Sequence, residues 1–210
     1  MNVLQKSRRA LLASWATIAG SAIIGGKATA AGLLHTPQAT EGPFYPKPKM
    51  RPDDIDNDLV KVLGSVTEAG GEVIELTGRI VDVNGKPLEG LRVEIWQCDV
   101  NGKYLHTGDS RKLAYDKAFQ GFGHDISTST GEYRFRTIKP TPYPGRTPHI
   151  HVKVCRGDEE LLTSQFYLKD EPANTRDSLF RRMSEEEAAA VSMEFNDGEQ
   201  WPVAIVDIVV

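Results

Sequence analysis

The chain reads as an all-β protein: an antiparallel β-sandwich with a short helical segment near the C-terminus, preceded by a signal peptide. Three observations predict this. Short stretches with apolar residues at alternate positions recur along the chain, the period of half-buried strands. Turn signals punctuate them, with Asn84-Gly85 and Asn101-Gly102 as hairpin-type dipeptides. Nothing between them suggests the crossover helices of a parallel α/β sheet or a Gly-rich phosphate loop, so nucleotide chemistry is not expected.

Residues 1–30 carry a basic start (Lys6, Arg8, Arg9), a weakly apolar run and a small-residue site at Ala28-Thr29-Ala30, the order of an export signal. Ser7-Arg8-Arg9-Ala10-Leu11-Leu12 looks like a twin-arginine signal, with Sec export as the other route. Residues 10–26 are studded with Ser, Thr and Gly and make a poor membrane anchor. The mature protein is therefore expected in the periplasm or secreted, with no membrane span. Residues 31–70, including "TPQATEGPFYPKPKMRPDD", are rich in proline and charge and read as an extended N-terminal arm, not a packed element.

Residues 71–210 are the expected sandwich. Its first strand runs through Val73, Ile74, Leu76, Ile80 and Val83 to the Asn84-Gly85 turn, and "LRVEIWQCDVNG" is the second. "STSTGEYRFRTIKP" is a third, with Tyr133 and Phe135 on one face; "PHIHVKV", "ELLTSQFYL" and "VAIVDIVV" supply three more. Helical signal is confined to the stretch after Asn174, where Ser184 and Glu187 form a capping box ahead of an alanine-rich run.

The 210 residues suit one domain with appendages, and 40% hydrophobic with 26% charged residues is ordinary for a globular chain. A formal charge of -4 without a basic stripe gives no reason to expect nucleic acid. Two cysteines, Cys98 and Cys155, are too few for a disulfide scaffold; both fall near strand ends, which leaves one bridge open.

Chemistry concentrates in "YPGRTPHIHVKV", residues 143–154. On a strand His149 and His151 share one face, and Ile150, Val152 and Val154 the other. That histidine face is either ordinary polar surface or two imidazoles converging on a metal. No HExxH and no cysteine pair completes a zinc site of the usual kind, and a cupric or zinc site on the two histidines stays open. Tyr143, in Thr-Pro-Tyr-Pro, immediately precedes the histidine strand, and Tyr104 follows the Asn101-Gly102 turn. A phenolate is a hard anionic oxygen that suits a ferric ion, whose binding removes the phenol proton. Taken singly, each tyrosine also reads as a half-buried residue with its hydroxyl hydrogen-bonded.

Taken together, "TEGPFY" (40–45), "VEIWQCDVNGKY" (93–104), "FQGFGHDISTSTGEYRFRTIKPTPYP" (119–144), "GRTPHIHVKV" (145–154) and "LLTSQFY" (161–167) resemble the intradiol ring-cleavage dioxygenases, and most closely their protocatechuate 3,4-dioxygenase branch. The resemblance implies a non-haem Fe(III) cofactor held by Tyr104, Tyr143, His149 and His151, and a catechol-type substrate of the protocatechuate, catechol or hydroxyquinol class. It implies that O2 opens the ring to a cis,cis-muconate. Arg146 would stabilise charge developing on the ring, Gln165 would orient it, and Tyr143 would leave the metal and act as general base. Trp96 and Gln97 would shape core and pocket; residues 41–45 either fold over the pocket mouth or serve packing and oligomer contacts. Two departures bear on substrate identity. Only Pro144 and Gly145 separate Tyr143 from Arg146, where relatives carry a longer insertion, and His124 stands where an arginine is usual. The reading from another class is an exported transthyretin-like β-sandwich that binds a ligand without turnover. A homo-oligomer remains open.

Overall fold

Ile74, Leu76 and Ile80 alternate with Glu75, Thr77 and Arg79 along the first strand, and the three apolar side chains are fully buried. A computed structural model describes residues 32–210; the expected export signal, residues 1–30, lies outside them. In chain order the strands are β1 (Val73–Val81), β2 (Arg92–Trp96), β3 (Phe122–Ile126), β4 (Glu132–Ile138), β5 (His149–Arg156), β6 (Glu159–Leu168), β7 (Ser192–Met193), β8 (Phe195–Asn196), β9 (Val203–Ile205) and β10 (Ile208–Val209). They make two sheets. One centres on β1, which pairs with β4, β9 and β10, while β8 joins β9; the other has the order β3-β2-β5-β6-β7. A continuous buried cluster joins them, with Leu76 and Phe135 from the first sheet and Ile95, Val152 and Phe166 from the second.

The sheets are mixed, not purely antiparallel. β9 and β10 run parallel to β1, and β7 runs parallel to β6. "VAIVDIVV" is also two strands instead of one. The Asp207 carboxylate accepts the Arg79 N–H at 2.8 Å, a donor that a strand carbonyl would otherwise take, so the ladder breaks between β9 and β10. β3 was not expected: "FGHDI" has only two large apolar residues, yet it pairs with β2 along its whole length. The expected capping box is present, with Ser184 and Glu187 opening a single-helix segment, α1 (Glu185–Ala190). Short 3-10 turns stand at Pro172–Arg176 and Phe180–Arg182, and another lies outside the expected helical region at Pro48–Met50. Cys98 and Cys155 are both free and buried. Among the described residues no helix is long and apolar enough to cross a membrane.

Residues 32–70 contain little regular structure, but they are tied to the sheets. Leu33 N–H donates to the Val83 carbonyl, Thr36 N–H to that of Val209 and Ala39 N–H to that of Thr163. Leu59 and Val60 are fully buried in the main core. Residues 41–45 cross the outer face of β2 and β5, with Tyr45 bonded to Glu94 and Glu41 paired with Lys153. That crossing positions the site.

Candidate functional site

β5 is buried on both faces. Ile150, Val152 and Val154 enter the core, and His149, His151 and Lys153 face the other way with 1%, 2% and 6% exposure. Register fixes what surrounds them: His151 lies between Trp96 on β2 and Gln165 on β6, and His149 opposite Tyr167. The Trp96 indole stacks on the His151 ring, centroids 4.7 Å apart at 10°. From above, the N-terminal segment closes the face. Glu41 pairs with Lys153, Tyr45 donates to Glu94 at 2.6 Å, and Phe44 stacks on Tyr104 at 4.8 Å.

Tyr104 is set by a carboxylate scaffold. Asp99 accepts the N–H groups of Asn101 and Lys103 at 2.9 and 2.8 Å, closing the Asn101-Gly102 turn. Asp109 then accepts the Tyr104 N–H at 2.9 Å and is gripped by Arg111 and Lys103. Burial works to raise the Asp109 carboxyl, but Arg111 and the backbone donors hold it well below the usual carboxylate range. Tyr143 is set by a turn: the Arg146 N–H reaches the Tyr143 carbonyl at 3.1 Å, with Pro144 and then Gly145 at φ +84° between them. Proline followed by a positive-φ glycine is the type II pattern, which explains how two residues suffice between Tyr143 and Arg146.

These four side chains converge. Ring centroids are 4.7 Å apart for His149 and His151, 5.5 Å for Tyr143 and His149, 5.4 Å for Tyr104 and Tyr143, and 6.1 Å for Tyr104 and His151. The two histidine Nε2 atoms face each other at 3.2 Å. His149 Nδ1–H donates to the Thr147 carbonyl at 2.7 Å, which leaves its Nε2 lone pair on the shared side. Burial, reinforced by Arg146, pushes His149 down to about 4 against the Thr147 bond. Burial, His149 and Arg146 hold His151 well below its ordinary value. Both imidazoles are thus neutral, the form that binds metal.

Three buried polar atoms here have no partner: the Tyr104 hydroxyl, His151 Nδ1 and Trp96 Nε1. Each such buried group costs on the order of 1–3 kcal/mol, which folding alone gives no reason to carry. Burial raises the Tyr104 phenol far above its ordinary value, and raises Tyr143 against the opposing pull of Arg146. A cation between the rings would reverse that preference, since a coordinated phenol loses its proton. Among the described residues no three His, Cys, Asp or Glu side chains converge as a metal site, so a cation here must draw on the tyrosines. Two neutral imidazoles and two phenols, which become hard phenolate anions on coordination, form a donor set that fits a ferric ion.

Arg146 stands beside this cluster, half-buried. Its Nη2 donates to Gln165 Oε1 at 2.5 Å, its Nη1 lies 3.5 Å from the Tyr143 hydroxyl, and its Nε donates to Asp177 Oδ2 at 2.7 Å. The Tyr167 hydroxyl also donates to Gln165 Oε1, at 2.9 Å, while Gln165 Nε2 donates to the Thr40 carbonyl at 3.1 Å. All six expected site residues are therefore brought together. His35, His106 and His124 are not part of the cluster. Sequence reasoning missed Asp177, which lies 31 residues from Arg146 in a segment with no motif, and gave Tyr167 no role although "SQFY" holds it two places after Gln165. Gln97 is structural: it bonds the Ile138 carbonyl and Thr137 on β4.

The Dioxygenase family model matches residues 40–209. The beta chain of protocatechuate 3,4-dioxygenase from Burkholderia cepacia is 37% identical over 136 residues, covering 60% of this chain and 57% of that one. The alpha chain from Pseudomonas putida is 31% identical over 154 residues, covering 66% and 72%. The chain thus spans little more than half the length of the Burkholderia protein. Among solved structures, the dioxygenase domain of a dioxygenase carbohydrate-binding protein fusion from Streptomyces sp. SirexAA-E superposes with a TM-score of 0.63 at 31% identity, covering 84% of this chain and 97% of that domain.

Proposed function

This chain belongs to the intradiol ring-cleavage dioxygenase family, and on that premise we propose that it opens a catechol-type ring with O2 at a non-haem ferric centre held by Tyr104, Tyr143, His149 and His151. The observation that carries the reading is the pair of facing Nε2 atoms with an unpartnered Tyr104 hydroxyl beside them, on a face sealed from water. When bound, the ferric ion supplies Lewis acidity and electron-accepting character toward a dihydroxylated ring.

The residues divide the remaining work. His149 is locked by Thr147 and Tyr104 is almost fully buried, so both suit permanent ligands. Tyr143 is half-buried on a turn and its hydroxyl already faces Arg146, so of the residues that would hold the ion it is the one whose Oη would be placed to accept a catechol proton. Arg146 presents a fixed cation beside that point and favours negative charge as it builds on the ring. Residues 41–45 exclude water from His151. The substrate class is protocatechuate, catechol or hydroxyquinol, the product a cis,cis-muconate. We place the mature enzyme in the periplasm or outside the cell, on the strength of the export-type pattern in residues 1–30.

The test is O2 uptake by iron-reconstituted protein with catechol, protocatechuate and hydroxyquinol in turn, with products identified by mass and absorbance. A muconate-type diacid carrying both oxygens of O2 supports the proposal. A semialdehyde from cleavage beside the two hydroxyls, or no uptake with all three, overturns it.

A further inference from the structure

We propose that Asp177 is a positioning residue for Arg146, fixing the guanidinium so that one edge alone faces the reacting ring; this rests on the functional reading above. The Asp177 side chain is completely buried, and its carboxylate meets only Arg146 and backbone donors. Oδ2 accepts Arg146 Nε at 2.7 Å and the Thr147 N–H at 3.1 Å, while Oδ1 accepts the N–H groups of Leu179 and Phe180 at 2.9 and 3.2 Å. The backbone beneath it is fixed as well, because the Asp177 N–H donates to the carbonyls of Ala173 and Asn174.

A guanidinium is planar, and three bonded directions define its orientation fully. Asp177 takes the Nε direction and Gln165 takes Nη2, which leaves Nη1 aimed at the Tyr143 oxygen. Gln165 cannot do this alone, because one hydrogen bond leaves a side chain of this length free to swing. Asp177 acts at the root of the fork, with a charge-assisted bond, from an anchor that backbone N–H groups hold on both oxygens. The same carboxylate binds Thr147, whose carbonyl fixes His149. One buried anion therefore links the arginine loop to the start of the histidine strand. A misplacement of about 1 Å in a charge-stabilising group can cost on the order of a hundredfold, so such anchoring matters for rate more than for folding.

Iron-loaded wild type, Asp177→Asn, Arg146→Ala and the double variant are compared with catechol as the probe, reading kcat, KM, iron content and the visible band. Asparagine keeps an oxygen for the Leu179 and Phe180 donors, but its NH2 replaces Oδ2, so the Arg146 Nε–H loses both its acceptor and the charge beside it and the Thr147 N–H loses its acceptor. The single change at Asp177 should lower kcat about tenfold with iron and colour retained, and Arg146→Ala should lower it about a hundredfold. The double variant should be no more than a few-fold slower than Arg146→Ala, because the larger part of the Asp177 effect on rate runs through that arginine and only the Thr147 bond adds to it. Losses that multiply to about a thousandfold, or Asp177→Asn at wild-type speed, overturn the positioning role and leave the arginine's own role standing. Arg146→Ala at wild-type speed instead overturns the functional reading itself. Folding of the variants is not required for a second readout in metal-free wild type: the Arg146 Nε–H resonance should exchange far more slowly than those of exposed arginines. Equal exchange overturns the inference.

Discussion

Ile150, Val152 and Val154 on one face of β5 and His149, His151 and Lys153 on the other are all buried, but by different partners. The inner face is covered by the opposite sheet through Leu76, Tyr133 and Phe135, and every atom on it is apolar or satisfied. The outer face is covered by an irregular segment, residues 41–45, tied down through Glu41, Tyr45 and Phe44. There burial leaves orphaned polar atoms and neutral imidazoles. Sheet packing stabilises the fold by roughly 1.5–3 kcal/mol for each large apolar side chain. Burial of the outer face works against stability and creates a dry donor set. The strand thus separates folding from chemistry by parity alone.

His149→Ala acts on the outer face alone. Turnover should fall to background and iron should be lost, while far-UV circular dichroism and cooperative unfolding survive. Retained iron and rate would show that the outer face is not the ligand face. The converse change, Ile150→Ala, should cost about 2–5 kcal/mol in chemical denaturation of the metal-free protein, yet leave the visible band of the iron-loaded form unaltered. A changed band would mean the two faces are not separable.

The strand and its two faces were legible because period two needs only the residue types: Ile150, Val152 and Val154 against His149 and His151. The cover over the histidines was legible only as one of two alternatives: prolines and charges in residues 31–70 read as an extended arm, and residues 41–45 either folded over the pocket mouth or served packing contacts; only the sheet's outer face, invisible in sequence, gives Phe44 and Tyr45 something to pack on. The metal-ligand candidates were readable through a family resemblance spread over several motifs. Asp177 was not, because its partner lies far away in sequence. β3 escaped notice because Gly123, His124 and Asp125 carry no strand signal, and β2 supplies its pairing.

Acid should separate the faces too. A histidine held near 4 in the fold and near its ordinary 6.5 when unfolded takes up a proton in the unfolded chain first. Stability of the metal-free protein is therefore full above about pH 6.5 and falls as pH drops toward 4, by roughly 3 kcal/mol for His149 alone. His149→Ala should flatten that slope in denaturation measured across the window; an unchanged slope would show that the imidazole titrates freely.

The smallest expected effect is at the cover. Gly42 has φ +75°, and a Cβ there would lie 3.4 Å from His151 Cε1. Gly42→Ala should cost about 1 kcal/mol from the left-handed backbone and shift the visible band slightly by nudging the ring. Wild-type stability with an unmoved band would mean the segment does not hold His151.

On the proposed reading the outer face of β5 binds a ferric ion through tyrosine as well as histidine. Elemental analysis of iron-reconstituted protein, read together with its visible spectrum and that of Tyr104→Phe, tests it most directly. A single tightly held iron is expected for each chain, with a red-brown tyrosinate-to-iron band that bleaches in Tyr104→Phe and weakened retention of the metal in that variant. A colourless protein without iron enrichment, or a band indifferent to Tyr104, would contradict it.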